Sequence, residues 1–232
     1  MSETQFSRTE GLIGKAAVEK LHRARVALFG VGGVGGYVAE ALVRSGVGTI
    51  DLFDGDTVQL TNLNRQIVAL HSTLGEYKAE AMARRLKDIN PAVQASANVL
   101  FYLPENADEV DLSVYDYVVD AVDTVAAKTE LAARCLNAGI KIISAMGAGN
   151  KLDPLAFRVG DISQTSVCPL ARAMRRELKK RGVERGLKCV YSAEPPVCAD
   201  KERLPKSAAH MPSVMGLIIA AEVIKDLTEE QR

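Results

Sequence analysis

The sequence predicts an α/β protein with a doubly wound, mostly parallel sheet. Short β-rich runs alternate along the chain with segments of helical periodicity, and the run Arg25–Phe29 leads directly into a glycine-rich turn. A second β-rich run follows one helix later, as in a βαβ unit. At 232 residues the chain is long enough for one large domain with a well-buried core. We therefore predict a Rossmann-like sheet followed by an elaborated C-terminal half.

The N-terminal half alternates predicted helices and strands. Apolar residues at helical spacing, among them Leu12, Ala16 and Leu21, predict a first helix over residues 9–23. Further helices are predicted at 34–45, 77–89 and 126–138, and the second of these stops at Asn90-Pro91. The predicted strands cover residues 25–29, 49–54, 93–99, 117–122 and 141–144. This alternation is typical of a parallel sheet with crossover helices.

The C-terminal half has a looser pattern. We predict strands at 157–162 and 188–191, helices at 169–181 and 212–227, and a polar loop over 199–212. The simplest organisation is a single domain over residues 1–232. It would consist of the N-terminal helix 9–23, a core over 25–150 and a C-terminal part over 151–232.

Composition excludes several classes of protein. The formal net charge is zero, so any affinity for nucleic acid must come from local clusters of charge. The longest apolar run, residues 214–221, is far shorter than the roughly 20 residues of a membrane span, and the polar N-terminus does not resemble a signal peptide. We expect a cytoplasmic protein without a membrane partner. The cysteines (Cys135, Cys168, Cys189 and Cys198) form no Cys-x-x-Cys zinc pair and are expected to be free packing thiols.

The glycine-rich turn predicts a nucleotide site. Gly30, Gly32 and Gly35, with Gly33 between them, satisfy Gly-x-Gly-x-x-Gly between a strand and a helix. Such glycines allow a tight turn and a close approach of the backbone to phosphate, and the helix start supplies aligned N–H donors. Asp54 ends the second strand, where a carboxylate can hold ribose hydroxyls. An NAD site would look the same, so this motif leaves the nucleotide open.

Polar residues after Asp54 favour ATP over NAD. The amide and guanidinium donors of Asn62, Arg65 and Gln66 can spread the charge of a leaving pyrophosphate. Lys78 adds a point charge at the start of the next helix. A dehydrogenase needs only the ribose carboxylate in this segment. The cluster therefore predicts a triphosphate.

Asp123 is a candidate magnesium ligand. It follows the predicted strand 117–122 at the carboxyl edge of the sheet, where ligands bind in this architecture. Each charged candidate also has a plainer interpretation: Lys78 as a solvated helix residue, Arg65 as a surface charge and Asp123 as a helix N-cap. Their joint occurrence, in this order after the glycine turn, favours the functional interpretation.

These motifs resemble the superfamily of the ThiF, MoeB and ubiquitin-activating enzymes. The resemblance rests on Gly-x-Gly-Gly-x-Gly, Asp-x-Asp, Asn-Leu-Asn-Arg-Gln, the downstream lysine and Val-Val-Asp-Ala-Val-Asp, over roughly residues 6–150. It implies a pocket for ATP and Mg²⁺ in which a carboxylate is adenylated.

The resemblance also implies a role for each candidate residue. Asp54 would hold the ribose, and Asp56 would support the same region. Asp123 would carry Mg²⁺. Arg8, ahead of the first helix, would act on the ATP of a partner subunit, which implies a homodimer. The residues that would contact the phosphates are Asn62, Arg65, Gln66 and Lys78.

The second half is similar to the tRNA threonylcarbamoyladenosine dehydratases, in residues 144–154, 168–182 and 190–195. Cys168 departs from that family's pattern, which commonly has Asp before the Pro-Leu-Ala-Arg run. The zinc-binding cysteine pairs that are usual in sulfur-carrier adenylyltransferases are missing, and the chain has no room for the catalytic-cysteine domain of ubiquitin-activating enzymes.

A basic segment supports an RNA substrate independently. Residues 172–188 contain eight basic and two acidic side chains, a local charge of 8 − 2 = +6 on a neutral chain. Such a segment can neutralise several phosphates, although a solvated helix face is the alternative. The candidate tRNA-binding residues are Arg172, Arg175, Arg176, Lys179, Lys180 and Arg181.

The predicted function is therefore ATP-dependent cyclisation of a threonylcarbamoyl side chain on a tRNA adenosine. Adenylation of the carboxylate, followed by attack of an internal nucleophile that releases AMP, needs no protein nucleophile. Two alternatives remain: an adenylyltransferase for the C-terminus of a ubiquitin-like sulfur carrier, and a non-catalytic nucleotide-binding scaffold. A sulfur-transfer partner is left open.

Overall fold

The structure, a computed structural model, describes residues 3–197 and 206–229. Its helices are α1 (Ser7–Ile13), α2 (Lys15–Arg23), α3 (Gly35–Ser45), α4 (Lys78–Ile89), α5 (Val125–Asn137), α6 (Pro169–Lys180) and α7 (His210–Thr228). Its strands are β1 (Arg25–Phe29), β2 (Thr49–Phe53), β3 (Gln94–Asn98), β4 (Tyr117–Asp120), β5 (Ile142–Ala145), β6 (Phe157–Asp161) and β7 (Lys188–Ser192). Cys198 and residues 199–205 of the predicted loop lie outside the described residues.

The strands of the described ranges form one sheet in the order β3-β2-β1-β4-β5-β7-β6. All pairs are parallel except β6 and β7, which are antiparallel. The prediction of a doubly wound, mostly parallel sheet is confirmed. Phe29 on β1 pairs with Phe53 on β2 and with Asp120 on β4. The carboxyl ends of these three strands are therefore level at one edge of the sheet.

The predicted first helix is two helices. The prediction of one helix over residues 9–23 is wrong because Gly14 interrupts it with a φ of 87°, a conformation that favours glycine. Apolar periodicity continues through the break, which is why the sequence pattern concealed it. Of these two helices, α1 has no buried residue, whereas α2 buries Val18 and Leu21.

The closing helix begins earlier than predicted. Helix α7 starts at His210, within the segment 199–212 that was predicted as loop, and Pro212 lies in its first turn. Proline is tolerated there because the first N–H groups of a helix have no partner within the helix. None of the helices in the described ranges is long and apolar enough to span a lipid bilayer.

Two apolar layers cover the sheet. One packs α3, α4 and α7 on one face, and the other packs α5 and α6 on the opposite face. Gly216 brings α7 close to α3, since a Cβ atom at this position would lie 2.5 Å from the Val34 carbonyl oxygen. This close packing positions the start of α7 beside the glycine turn, where Pro212 lies 3.1 Å from the place of a Cβ on Gly33.

Candidate nucleotide-binding site

The glycine turn connects β1 to α3 at the carboxyl edge of the sheet. Gly30 has a φ of 87°, and a Cβ there would lie 2.6 Å from the Ala121 carbonyl oxygen. A Cβ on Gly35, the first residue of α3, would lie 1.8 Å from the Gly30 carbonyl oxygen. Both positions therefore require glycine. The turn presents the start of α3 to any ligand at this edge, as a phosphate site needs.

Asp54 ties the glycine turn to the end of β2. Its Oδ2 accepts a hydrogen bond from the Val31 amide at 2.7 Å, and its Oδ1 accepts one from the Asp56 amide at 2.8 Å. Burial raises the pKa of Asp54, and these two backbone hydrogen bonds oppose the shift. Each carboxylate oxygen keeps a second lone pair. The geometry therefore lets Asp54 accept hydrogen bonds from ribose hydroxyls without leaving the turn.

Lys78 is a buried cation beside Asp54. Its Nζ lies 2.7 Å from Asp56 Oδ2, and its backbone N–H donates to the Asp56 carbonyl at 2.9 Å. The Lys78 side chain is 7% exposed, whereas that of Asp56 is 52% exposed. The interpretation of Lys78 as a solvated helix residue is therefore wrong. Only one donor of the ammonium group is used by Asp56, so the others can bind phosphate oxygens.

The segment that follows Asp56 folds back onto the glycine turn. Asn62 is buried and its Oδ1 accepts the Gln59 amide at 3.0 Å, which closes a short 3₁₀ helix, Leu60–Asn62. Gln66 is buried next to Gly32, and its Oε1 has no hydrogen-bond partner in the described part of the chain. An unsatisfied buried polar atom is rare in a folded protein, and this one lies beside the glycine turn, where a ligand could supply its partner.

Arg65 is half-buried on the same segment. Its Nη1 donates to the Thr61 carbonyl at 2.9 Å and to Asn64 Oδ1 at 2.8 Å, and its Cγ lies 3.6 Å from the place of a Cβ on Gly33. The structure thus brings Arg65 and Gln66 to the glycine turn. Within the described residues the guanidinium makes no other hydrogen bond, so its remaining N–H groups can reach an anionic ligand.

Asp123 lies in the loop between β4 and α5. Strand β4 ends at Asp120, two residues before the predicted end, and Asp123 is exposed. Among the described residues its carboxylate has a single side-chain contact, a hydrogen bond donated by Thr124 Oγ1 at 3.4 Å. Thr124 occupies the N-cap position of α5, so the interpretation of Asp123 as the N-cap is wrong.

A fully buried ion pair, which no motif in the sequence indicated, supports the Asp123 loop. Lys128 Nζ lies 2.7 Å from Asp120 Oδ2, and both side chains are 0% exposed. Lys128 also donates to the Val122 carbonyl at 3.2 Å, and the Ser144 hydroxyl donates to Asp120. The sequence contained one sign of this pair, because Lys128 lies among the apolar residues of α5. A charge that is buried with such residues requires a partner of opposite charge.

Arg8 is exposed on α1 and forms no ion pair within the described part of the chain. The structure therefore brings together Asp54, Asp56, Lys78 and the segment 62–66, and it leaves Arg8 apart from them.

The basic segment is less positive than the count along the sequence indicated. Arg175 is half-buried and donates to the Thr165 carbonyl at 2.9 Å and to the Thr165 hydroxyl, so its guanidinium is less available to phosphate than those of the exposed arginines. Acidic residues from other elements pair with Arg181, through Glu130, and with Lys188, through Glu222 and Asp226.

Pairs within the segment reduce its charge further. Arg176 and Lys180 share Glu177, and Lys179 pairs with Glu184. These pairs are exposed, so they are weak and can exchange for phosphate. Arg172 and Arg185 are exposed, without an ion pair in the described ranges. The residues that remain suited to an RNA surface are Arg172, Arg176, Lys179, Lys180 and Arg185; Arg181 is paired with Glu130.

The cysteines of the described ranges are packing residues. Cys135, Cys168 and Cys189 are buried free thiols. Burial raises the pKa of Cys135 and of Cys189 to about 12, which opposes thiolate formation. No cluster of three or more potential metal ligands occurs in the part of the chain that the structure describes. Cys198 lies outside the described residues.

Comparison with known proteins identifies the family. The ThiF family model matches residues 6–232. The tRNA threonylcarbamoyladenosine dehydratase of Bacillus subtilis is 42% identical over 97% of this chain and 95% of its own length. The sulfur carrier protein adenylyltransferase of Thermus thermophilus is 40% identical, over 48% of this chain and 41% of its own.

Solved structures agree with this assignment. The Escherichia coli tRNA N6-threonylcarbamoyladenosine dehydratase, TcdA, has a crystal structure in complex with ATP that superposes with a TM-score of 0.90, and one in complex with AMP with a TM-score of 0.92. Both are 35% identical and cover 96% of this chain and 93% of theirs. The chain therefore belongs to the ThiF family, in the group formed by the tRNA threonylcarbamoyladenosine dehydratases.

Proposed function

We propose that the protein is an ATP-dependent dehydratase of threonylcarbamoyladenosine in tRNA. The relatives that match nearly the whole chain carry this activity in their names, and the E. coli relative binds ATP and AMP. The observation that carries the proposal is the buried Lys78 beside Asp54 at the glycine turn. A ribose carboxylate with an adjacent buried cation fits a nucleotide with a polyphosphate tail.

The chemistry has two steps. A carboxylate oxygen of the substrate attacks the α-phosphorus of ATP, forming the acyl adenylate and releasing pyrophosphate. A nucleophile of the same modification then attacks the acyl carbon and AMP leaves, so that the ring closes with net loss of water. The chain's residues bind and orient: Asp54 accepts the ribose hydroxyls, while Lys78 and Arg65 balance charge on the leaving pyrophosphate.

The decisive experiment is mass spectrometry of tRNA nucleosides after incubation of tRNA with the protein and ATP. We expect the threonylcarbamoyladenosine nucleoside to lose the mass of one water, with one AMP formed per cyclised nucleoside. A protein that forms no AMP with modified tRNA, yet binds ATP, would support the scaffold alternative.

We also propose that Mg²⁺ accompanies the nucleotide and that Asp123 binds it. Mg²⁺ is usually held by one or two carboxylates together with substrate phosphates and water. The exposed carboxylate of Asp123, with its one side-chain contact to Thr124 among the described residues, fits such a site. When bound, the ion would neutralise phosphate charge.

A homodimer is proposed to complete the site through Arg8. The exposed guanidinium on α1 is available to a second copy of the chain. Mixed dimers of Arg8→Ala and Asp123→Ala subunits should regain activity, because one composite site then holds both lesions and the other none. Absence of activity after proven subunit exchange would show that Arg8 does not act across the interface.

We propose that tRNA lies on the exposed basic face of α6 and the residues that follow. A variant with glutamine at positions 172, 176, 179 and 180 should bind tRNA more weakly and with a flatter salt dependence, since each lost phosphate contact lowers the log–log slope by roughly 0.7 to 0.9. Arg175→Gln should leave the slope unchanged, because that guanidinium is held by Thr165.

Because the proposed substrate is tRNA, we place the enzyme in the cytoplasm. The proposed chemistry does not require a sulfur-transfer partner.

The alternative substrate is the C-terminus of a ubiquitin-like sulfur carrier. The alignment with the Thermus thermophilus adenylyltransferase covers only about half of this chain, whereas the alignment with the Bacillus subtilis dehydratase covers nearly all of it. Release of pyrophosphate that depends on such a carrier, and not on tRNA, would favour the alternative.

A further inference from the structure

A basic cavity opens at the amino edge of the sheet, opposite the candidate nucleotide-binding site. Its volume is about 460 Å³, far more than the roughly 10–15 Å³ that one water requires. The end of α2, the residues before β4, the turn before β5 and the end of α7 line it. Four separate elements therefore meet around this cavity.

The lining of the cavity is positively charged. It contains the cations Lys20, Arg23 and Lys141 and one carboxylate, Asp116, a charge of 3 − 1 = +2. Among the described residues, none of the three cations forms an ion pair. The chain as a whole has 29 basic and 29 acidic residues. Unpaired positive charge is thus concentrated in a concave site, which favours an anionic ligand.

Contacts with the end of α7 account for only part of this charge. Lys20 Nζ donates to the Thr228 carbonyl at 3.1 Å, and Lys141 Nζ donates to the Asp226 carbonyl at 2.9 Å. Cations are favourable at such a helix terminus, but each ammonium keeps two further donors. Arg23 is exposed and makes no hydrogen bond within the described ranges. Its guanidinium donors are therefore available to a ligand.

The cavity is continuous with the basic residues that follow α6. Lys188, the first residue of β7, pairs with the Asp226 carboxylate at 3.0 Å, and Lys141 contacts the carbonyl of the same Asp226. The exposed Arg185 lies three residues before Lys188. The basic surface proposed for tRNA thus reaches the cavity along the amino edge of the sheet.

Helix α6 connects this edge with the carboxyl edge, where the nucleotide site lies. Its N-cap residue, Cys168, has its Sγ 3.5 Å from the place of a Cβ on Gly147, just beyond β5, and its other end leads into β7. A strand of five residues spans about 17 Å. A duplex strand advances by roughly 3.4 Å per nucleotide. RNA with its modified adenosine at the carboxyl edge can therefore bring phosphates several nucleotides away to the amino edge.

We propose that this cavity binds backbone phosphate of the tRNA, as a second anchor remote from the site of adenylation. The inference rests on the proposed function, which makes tRNA the substrate. Guanidinium and ammonium groups bind phosphate through charge-assisted hydrogen bonds. Phosphate contacts fix the position of a nucleic acid and carry no sequence information. The anchor therefore serves any tRNA that carries the modification.

The first test is tRNA affinity of the full chain at several salt concentrations. Arg23→Gln should lower the log–log slope by roughly 0.7 to 0.9 and weaken binding roughly 4- to 6-fold at 0.15 M salt, taking equal affinities at 1 M. Arg23→Gln/Lys141→Gln should lower the slope by roughly twice as much. ATP affinity, Tm and the rate of AMP formation at saturating tRNA should stay at the wild-type values, so that only KM for tRNA rises.

Lys15→Gln is the matched control. Its ammonium is 78% exposed at the other end of α2, about 12 Å from Arg23 along the helix axis. That distance exceeds the Debye length of about 8 Å at 0.15 M salt. The control should leave the slope unchanged.

The second test locates the contact on the RNA. Single tRNA phosphates are replaced in turn by uncharged methylphosphonates. At the phosphate held by the cavity, the replacement should weaken binding to the wild type but not to Arg23→Gln, because the two changes remove the same interaction.

The results separate the inference from the proposed function. An unchanged salt slope in Arg23→Gln, or the absence of any phosphate coupled to Arg23, overturns the anchor and leaves the activity intact. Loss of ATP affinity or of Tm in Arg23→Gln also overturns it, since the residue would then act through the fold. A wild-type protein that forms no AMP with modified tRNA overturns the proposed function, and the inference with it.

Discussion

Removal of the buried Lys128 should destabilise the protein and disable the Asp123 loop. Lys128 is 0% exposed, is paired with Asp120 at 2.7 Å, and donates to the Val122 carbonyl at 3.2 Å. Lys128→Met preserves most of the side-chain volume and leaves a buried carboxylate without its counter-charge. Breaking a buried pair in this way costs about 3–5 kcal/mol.

The expected change in Tm follows from the size of the chain. For 150–250 residues, each kcal/mol lowers Tm by about 2–4 °C, so Lys128→Met should unfold roughly 6–20 °C below the wild type. The Val122 carbonyl also loses its donor, which frees the loop that carries Asp123. In the role proposed for Asp123, its displacement lowers turnover. At temperatures below the unfolding transition we therefore expect AMP formation to be about 10-fold or more slower than in the wild type.

The assay is thermal unfolding by circular dichroism together with AMP release at 25 °C. Lys15→Met is the matched control, since that ammonium is 78% exposed and its ion pair within the described residues is with the exposed Glu19. It should change Tm by little. Adding Asp120→Asn to Lys128→Met should recover part of the lost stability, because the unpaired charge is then gone. A Lys128→Met protein with wild-type Tm would refute the reasoning.

Three further predictions concern the site itself. Asp123→Ala should keep its fold and lose on the order of 100-fold in AMP formation, as judged by single-turnover kinetics; normal turnover would remove Asp123 from the mechanism. Lys78→Met should weaken tripolyphosphate binding, whereas Asp56→Asn should preserve it; equal effects would mean that the ion pair matters more than the cation. Adenosine binding should weaken as the pH falls through the raised pKa of Asp54, because the ionised carboxylate is the acceptor for the ribose hydroxyls. This loss should occur at a higher pH than it would for a carboxyl group with the ordinary pKa of 3.8. Asp54→Asn should abolish the pH dependence.

The sign of the Asp54 contribution to folding follows from the same shift. Its pKa is raised in the folded protein, so its stabilising contribution is present below the unfolded pKa and is lost as the pH rises through the folded value. Near neutral pH the ionised Asp54 therefore lowers the free energy of unfolding. The hydrogen bonds from the Val31 and Asp56 amides reduce this loss of stability. A destabilising group retained at a ligand site is typical of a functional residue.

The sequence by itself determined the sheet and the glycine turn. Alternating β-rich and helical segments predicted the parallel order of elements, since local patterning and short connections leave few topologies. Gly30 and Gly35 could be assigned because their roles depend on the backbone of the turn itself. The candidate polar residues of the segment 54–66 could be grouped because they lie close together along the chain.

Only the tertiary structure decided which distant groups meet. Phe101 meets Gly55 and Lys128 meets Asp120 through contacts between separate elements, and no local pattern records such a pairing. The charge of residues 172–188 was overestimated for the same reason: Glu130, on α5, neutralises Arg181 from far along the chain. The strength of a charge interaction depends on the distance between the two groups and on their burial. Both quantities, and the surfaces that remain open to a ligand, are defined only when the chain has folded.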